Sequence, residues 1–464
     1  ADLLAGTISK KHETPFRDIY RLPPAHFLTL GKSFHVSIKK YWDLDLTTEL
    51  SDISGDEASG RFRYLLERAV RMRMPGTSPI GAELSGGLDS TVIASLVNGF
   101  CKAKKCDFHT FSHVMDDADL NNHFPFTDER DYISQVVNFC GMEHHHFIHP
   151  GTSTILDALE EGLNIQGAPT QQRFYEFSDL LYACAKNQGV EVLFSGFGGD
   201  EGVSSHGGGY LHELMFKGNG IEVWKELGRK NGHVLKRLYQ WLMISTQVHF
   251  FGMYDKISRH TGSEYQRIHE KINQLPLQKH IIKQYDVHGR AQQNSRFPND
   301  RLLKQRQYKR IMHPHVSQRM EYSAAAAREF GIEYRYPLWD KDLIQFYINL
   351  PTKLKRQNNT GRFIYRKSVK DLIPDSIRWR NDKTGATIPS VHRRLLNDSE
   401  NIRQFLDKCD NKGIGTDIFD IKRMKVWLEM IPGRNKNQRN IYQGMFFNYL
   451  MFLKHLEWKH EGKI

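Results

Sequence analysis

The 464-residue sequence has few cysteines, five in all: Cys101, Cys106, Cys140, Cys184 and Cys409. An odd count at this density gives no disulfide framework and suits a reducing compartment, so a cytoplasmic protein is expected. Cys101 and Cys106 lack the close spacing and second pair of a structural zinc site. No apolar run reaches the ~18 residues of a membrane-spanning helix, and no signal peptide opens the sequence, so no membrane partner is expected. The Gly-x4-Gly-Lys spacing of a Walker loop is missing, as is Gly-x-Gly-x-x-Gly. There is no internal repeat and no long low-complexity linker.

What is present can build a large core. Hydrophobic residues make up 39%, with 27 Phe, 19 Tyr and 7 Trp, which excludes global disorder. The length suggests two or three domains, or one large mixed one. The formal net charge is +12. That raises nucleic acid as a partner, but acidic residues are scattered among the basic ones and composition establishes no site, so nucleic acid is not expected. An acidic protein or peptide is also compatible. The run His144-His145-His146 looks metal-like, yet neighbours on a strand point to opposite faces and cannot all reach one ion.

Leu22-Pro23-Pro24 and Tyr41-Trp42-Asp43 suggest an extended lead-in with short strands over residues 1–55. A helix is predicted from Phe62 to Met74, stopped by Pro75-Gly76. An α/β alternation follows over 56–240. Strands are predicted at Ile80–Leu84, Phe108–Phe111, Phe147–Ile148 and Val190–Phe194. Helices are predicted from Thr91 (capped by Ser90), and over Tyr132–Phe139, Leu156–Leu163 and Phe177–Lys186. This succession predicts a mainly parallel sheet flanked by helices, with ligands beyond the strands' carboxyl ends. Over 241–464 the signal is mostly helical: Ser323–Phe330, Asp342–Ile348, Lys367–Ile373 and an amphipathic stretch containing Phe446, Tyr449, Leu450 and Leu453. Gly413–Phe419 reads as a surface loop.

The first glycine-rich turn, Ser85-Gly86-Gly87-Leu88-Asp89-Ser90, follows a strand and enters a helix. Such a turn offers backbone N–H groups and a positive helix end to phosphate. Gly86 and Gly87 allow a close turn, and Ser85 and Ser90 add hydroxyls. Asp89 suits phosphate only through a bridging magnesium ion. The alternative is an ordinary helix cap. Ser195-Gly196-Phe197-Gly198-Gly199-Asp200-Glu201 sets further carboxylates in a second such loop, where helix capping is again the alternative. Lys383, before Thr384-Gly385, reads by pattern alone as a surface lysine.

Ser85–Ser90 resembles the pyrophosphate loop of the ATP pyrophosphatases, the adenine nucleotide alpha hydrolase-like fold. Within them it resembles the synthetase domain of the glutamine-hydrolysing asparagine synthetase family, which also includes β-lactam synthetases and lasso-peptide macrolactam cyclases. The likeness recurs in order. Leu22–Phe27 with Tyr41–Asp43 is similar to the join after the glutaminase domain. Asp128-Glu129 with Cys140–His145, the Ser195–Glu201 loop, Glu333–Asp340, and Arg378–Arg380 with Asn381–Gly385 are similar to later motifs. The resemblance implies ATP and Mg2+ as cofactors. Asp89 and Asp200 would share the metal, with Glu201 as a further candidate ligand. Ser85, Gly86, Gly87 and Ser90 would cradle pyrophosphate; Leu84, His113, Ser195 and Gly196 would line the nucleotide site. Lys383 would stabilise charge developing in the reaction, and Arg380 would assist at phosphate. Glu333, Arg335 and Asp340 read as fold-supporting ion pairs.

The expectation is an ATP-dependent carbon–nitrogen ligase. It would activate a small-molecule or peptide carboxylate as acyl-AMP, then amidate it with ammonia or an amine. Two departures shape this. The sequence contains no glutaminase domain, so a fragment of a longer parent bearing one is expected. Phe197 stands where asparagine synthetases carry glutamate and β-lactam synthetases tyrosine, and it has no acid, base or hydroxyl. A macrolactam cyclase, a β-lactam-type synthetase and a non-catalytic nucleotide-binding protein therefore stay open.

Overall fold

The computed structural model describes residues 2–5, 12–76, 79–117, 128–149, 151, 153–169, 178–230, 233–250, 270–295, 300–358, 360–381, 391–431 and 436–463. The lead-in forms an antiparallel hairpin, β1 (His26–Leu30) with β2 (Val36–Lys40). Five parallel strands make the main sheet: β3 (Ile80–Glu83), β4 (Phe108–His113), β5 (His144–Ile148), β6 (Val192–Phe194) and β7 (Glu333–Arg335). Their order is β5-β4-β3-β6-β7. Helices flank the sheet and a mainly helical region follows it, as the α/β alternation predicts, and the arrangement is the ATP pyrophosphatase-like α/β fold that the resemblance implies. The winding reverses between β3 and β6, which opens a crevice beyond their carboxyl ends. The helical half returns one strand, β7, to the sheet edge.

Helix α1 (Gly55–Arg71) starts before Phe62 because the Ser54 hydroxyl caps it, accepting from Glu57 N at 3.1 Å. Helix α2 (Leu88–Lys104) follows β3, α3 (Arg130–Cys140) follows β4, and α4 (Ile155–Gln166) and α5 (Asp179–Asn187) lie between β5 and β6. Gly87, not Ser90, is the N-cap of α2, and no side chain caps it. Phe62 of α1 meets Tyr347 and Tyr365 edge-on, with ring centroids 6.1 and 5.5 Å away. Tyr347 lies on α7 (Lys341–Asn349) and Tyr365 on α8 (Phe363–Ser368). The core on the sheet's other side is built from Leu181, Tyr182, Leu193 and Ala327, the last from α6 (Pro314–Arg328).

Glu333 pairs with Arg335 at 2.9 Å, and Asp340 takes Arg73 at 3.1 Å while capping α7, so these are supporting pairs. Phe446, Tyr449, Leu450 and Leu453 are fully buried on α9 (Lys436–His460). Two further expectations need correction. The helix expected over Lys367–Ile373 is α8, which begins at Phe363 and ends at Ser368. Gly413–Phe419 is not a simple surface loop, because Ile414 and Phe419 are buried. Its carbonyls are met inside: the Gln278 amide donates to Thr416 O at 2.9 Å and Phe419 O at 3.2 Å. Among the described residues no helix is long and apolar enough to cross a membrane.

A short hairpin, β8 (Arg356–Gln357) with β9 (Thr360–Gly361), leads to α8. Buried Lys355 anchors its root, donating to Ile348 O at 2.8 Å and Gln307 Oε1 at 3.1 Å. Burial pushes the Lys355 ammonium down to about 7. Its folded pKa lies below the unfolded value, so the unfolded chain binds more protons between these two. The burial penalty is therefore full below pH 7 and relieved as pH rises toward 10. Relative to Lys355→Met, the wild type should gain on the order of 2 kcal/mol of unfolding free energy between pH 6 and 9. Urea titrations at both pH values check this; a constant difference contradicts it.

Candidate active site

The carboxyl ends of β3 and β6 each pass into a glycine-rich loop, and the two loops touch. A Cβ on Gly196 would lie 2.5 Å from Ser90 N, and one on Gly199 would lie 2.2 Å from the Asp89 carboxyl carbon. Both distances are too short for any side chain. Glycine at these positions lets Asp89, in the first turn of α2, and Asp200, in the π-helical turn Gly199–Val203, approach each other. In the first loop Ser85 N donates to Ser90 Oγ at 3.1 Å, and the Ser85 and Ser90 hydroxyls lie 2.8 Å apart. Gly86 adopts φ 68°, which favours glycine. Glu83, ending β3, accepts from Ser195 Oγ at 2.6 Å and Tyr334 OH at 2.7 Å, tying together the ends of β3, β6 and β7.

One guanidinium bridges the two aspartates. Arg362 Nη1 lies 3.3 Å from Asp89 Oδ2, and Nη2 contacts Asp200 Oδ1. Burial disfavours its charge, but Asp89 and Asp200 outweigh that and hold it protonated. Arg362 is buried and sits at φ 60°, a left-handed conformation that costs a non-glycine residue roughly 1–2 kcal/mol. Gly361 before it runs against the backbone of His206, where a Cβ would lie 2.7 Å from His206 O. Burial and then Arg362 push His206 down to about 4. The two carboxylates thus share one cationic partner.

That geometry fits a magnesium ion. Magnesium takes one or two carboxylates and completes its shell with phosphate and water oxygens. Among the described residues no three His, Cys, Asp or Glu side chains converge as metal ligands, so phosphate oxygens would have to supply the rest. Glu201, the third acidic candidate, faces His315 at 3.7 Å. Burial raises the Glu201 carboxyl, but His315, a backbone N–H and the Arg310 charge together outweigh it and leave the group below its ordinary range.

The other predicted residues line the same cleft, which holds about 1540 Å3 including its open mouth. Its walls include Leu84, Ser85, Gly87, Asp89, Ser90, His113, Ser195, Gly196, Asp200, Glu201 and Arg380. Gly86 lies just behind, against Tyr132. Burial pushes His113 down to about 4, so it stands neutral in the wall. Arg380 pairs with Glu129, stacks 3.9 Å over the Tyr132 ring and reaches Gly86 O at 3.4 Å. Lys383 lies outside the described residues. Beyond Asp200, Phe197 is buried against Tyr336 and Trp339, at ring-centroid distances of 6.0 and 5.8 Å.

The family model for asparagine synthase matches residues 61–441. The chain belongs to the asparagine synthase family. It is 23% identical over 373 residues to Asparagine synthetase [glutamine-hydrolyzing] 3 of Bacillus subtilis, covering 79% of this chain and 54% of that protein. It is 29% identical over 226 residues to Putative asparagine synthetase [glutamine-hydrolyzing] 2 of Methanocaldococcus jannaschii, covering 45% and 40%. Over 91 residues it is 33% identical to Amidase chry2 of Gibberella zeae, covering 19% and 14%. The chain therefore spans about half or less of the curated relatives it matches.

Sequence reasoning missed Arg362, Arg366 and Glu83. Arg366 is buried and donates to Gly361 O at 3.1 Å, Arg380 O at 2.9 Å and Asn381 Oδ1 at 3.2 Å, so it holds the stem that carries Arg380. Burial pushes it down to about 10. Thr360-Gly361-Arg362, a glycine before a cation, was the available signal, but nothing local placed it opposite β3.

Gly196→Ala should force the loops apart, costing about 1–3 kcal/mol of stability and weakening ATP binding at least tenfold. Gly99→Ala, on α2 where a Cβ meets nothing within 4 Å, should be neutral or stabilise by up to ~1 kcal/mol. Urea unfolding and ATP titration of both variants check this. Equal behaviour of the two contradicts it.

Proposed function

We propose that this chain is an ATP-dependent, amide-forming ligase that activates a carboxylate as an acyl-adenylate and then transfers the acyl group to ammonia or an amine. The observation that carries the reading is the meeting of Asp89 and Asp200 at the sheet's switch point, beside a helix N-terminus. Membership in the asparagine synthase family supports the same chemistry.

In the first step a substrate carboxylate oxygen attacks the α-phosphorus of ATP, and the bond to the β-phosphate's bridging oxygen breaks. The N-terminus of α2, with the Ser85 and Ser90 hydroxyls, would hold the departing pyrophosphate. Asp89 and Asp200 would hold Mg2+, which when bound offsets phosphate charge. Arg362 supplies a further buried cation at the same carboxylates. Leu84, His113, Ser195 and Gly196 would line the nucleoside end. In the second step the amine attacks the acyl carbon and AMP leaves. Lys383 would stabilise the developing oxyanion, with Arg380 at phosphate.

Phe197 favours a specialised amide ligase over aspartate amidation. It can neither pair with an amino acid's ammonium group nor accept the proton that the attacking amine loses. The carboxylate is a small molecule or a peptide. A glutaminase domain in a longer parent would supply ammonia, and a peptide amine would make the product a macrolactam. Cytoplasmic location suits the free cysteines.

Exchange of labelled pyrophosphate into ATP, with magnesium and a panel of carboxylic acids, tests the first step. Exchange dependent on one acid class is expected. None with any acid, from folded protein, would sink the catalytic reading and leave a nucleotide-binding role. Lys383→Ala should keep the fold by circular dichroism yet lose amide formation by about 100- to 1000-fold. Wild-type product yield would refute the lysine's role.

A further inference from the structure

The two aspartates pose a charge problem that the activation chemistry leaves unsolved. The loops bring two carboxylates together, and such a pair repels unless a cation stands between them. Arg362 is that cation. Its Nη1 faces Asp89 Oδ2 at 3.3 Å, and its Nη2 contacts Asp200 Oδ1. Asp89 Oδ1 is buried, which leaves Oδ2, the oxygen on the guanidinium, as the one a metal in the cleft would meet. Arg362 and a magnesium ion therefore compete for the same carboxylates.

The backbone before Arg362 is pinned, and the side chain can shift. Gly361 runs against His206 O, and Arg356 Nη1 donates to the same oxygen at 3.0 Å. The Arg362 Nε is buried and meets no acceptor among the described residues. Its Nη2 also lies 2.7 Å from His206 Nε2, and a guanidinium only donates, so the imidazole accepts there. His206 lines the cleft and gives the guanidinium a partner outside the carboxylate pair. The left-handed φ of 60° at Arg362 is strain of the kind that collects at switching positions.

We propose that Arg362 reserves the Asp89–Asp200 pair for metal that arrives with nucleotide: its guanidinium shuts out a bare divalent cation, and phosphate oxygens admit one. This rests on the ligase reading above. Magnesium gives up its water reluctantly and binds through one or two carboxylates plus substrate phosphates. Against two carboxylates alone, a guanidinium and a divalent ion together leave an excess of positive charge. The phosphates of ATP remove that excess, so both cations stay, with Arg362 passing part of its hydrogen bonding to His206. Metal thus does not fill the site ahead of the nucleotide.

The test uses the whole chain and Mn2+, a stand-in for magnesium whose unbound fraction is read by electron paramagnetic resonance, with and without α,β-methylene-ATP. The wild type should bind Mn2+ at least about tenfold more tightly with the analogue than without it. Arg362→Met should bind Mn2+ without the analogue at least about tenfold more tightly than the wild type does, a gain that a merely structural role would not produce. Adding Asp200→Asn to Arg362→Met should abolish that gain. Three results would overturn the proposal: unchanged nucleotide-free affinity in Arg362→Met, a gain that survives Asp200→Asn, or a wild type that binds the analogue yet holds Mn2+ equally well without it. Should Arg362→Met not fold by circular dichroism, Arg362→Gln decides: a nucleotide-free gain supports the assignment, and unchanged affinity overturns it. A wild type that binds no analogue by calorimetry fails the ligase reading itself, and the nucleotide-free comparison alone then judges Arg362.

Discussion

Contact between two glycine-rich loops is the constraint on which the site depends. The backbone at Gly196 and Gly199 lies so close to Ser90 and Asp89 that any side chain would collide. Three short parallel strands hold the contact, and the Glu83 carboxylate clamps their ends through Ser195 and Tyr334. The sheet's order then does what a switch point does, opening a crevice where two helix-entering loops diverge. Asp89 and Asp200 are far apart in sequence and near in space because glycine leaves the room between them.

The helical half completes the site from outside. A buried lysine, Lys355, roots the hairpin that ends in Arg362, and the left-handed backbone there turns the guanidinium onto both aspartates. Backbone strain of this kind persists where surrounding packing over-determines it. Arg366 ties the next segment, through Arg380 O and Asn381, to the same short helix. The guanidinium over the two aspartates and the stem that carries Arg380 and Asn381 are thus fixed from the start and the body of α8.

Local pattern made much of this legible. Apolar runs bounded by glycine gave the strands, and strand-then-glycine turns located both loops. Helix starts were less legible where caps decide them, as at Ser54 and Gly87. Gly413–Phe419 read as surface because its glycines and charges look like a loop, while the Gln278 amide that lets it be buried is distant in sequence. Arg362 and Glu83 escaped notice for the same reason: their partners are assembled only by the fold. Phe197 was legible as a departure from the family, but only the structure set Arg319 over its ring.

The central claim is that Asp89 and Asp200 form one site across two loops. A double-mutant cycle on MgATP affinity addresses it directly, using Asp89→Asn, Asp200→Asn and the double variant in titrations with and without magnesium. A shared site predicts non-additive losses in magnesium, with a coupling of at least ~1 kcal/mol that vanishes when the metal is withheld. Losses that add within about 0.5 kcal/mol would show two independent carboxylates and contradict the account.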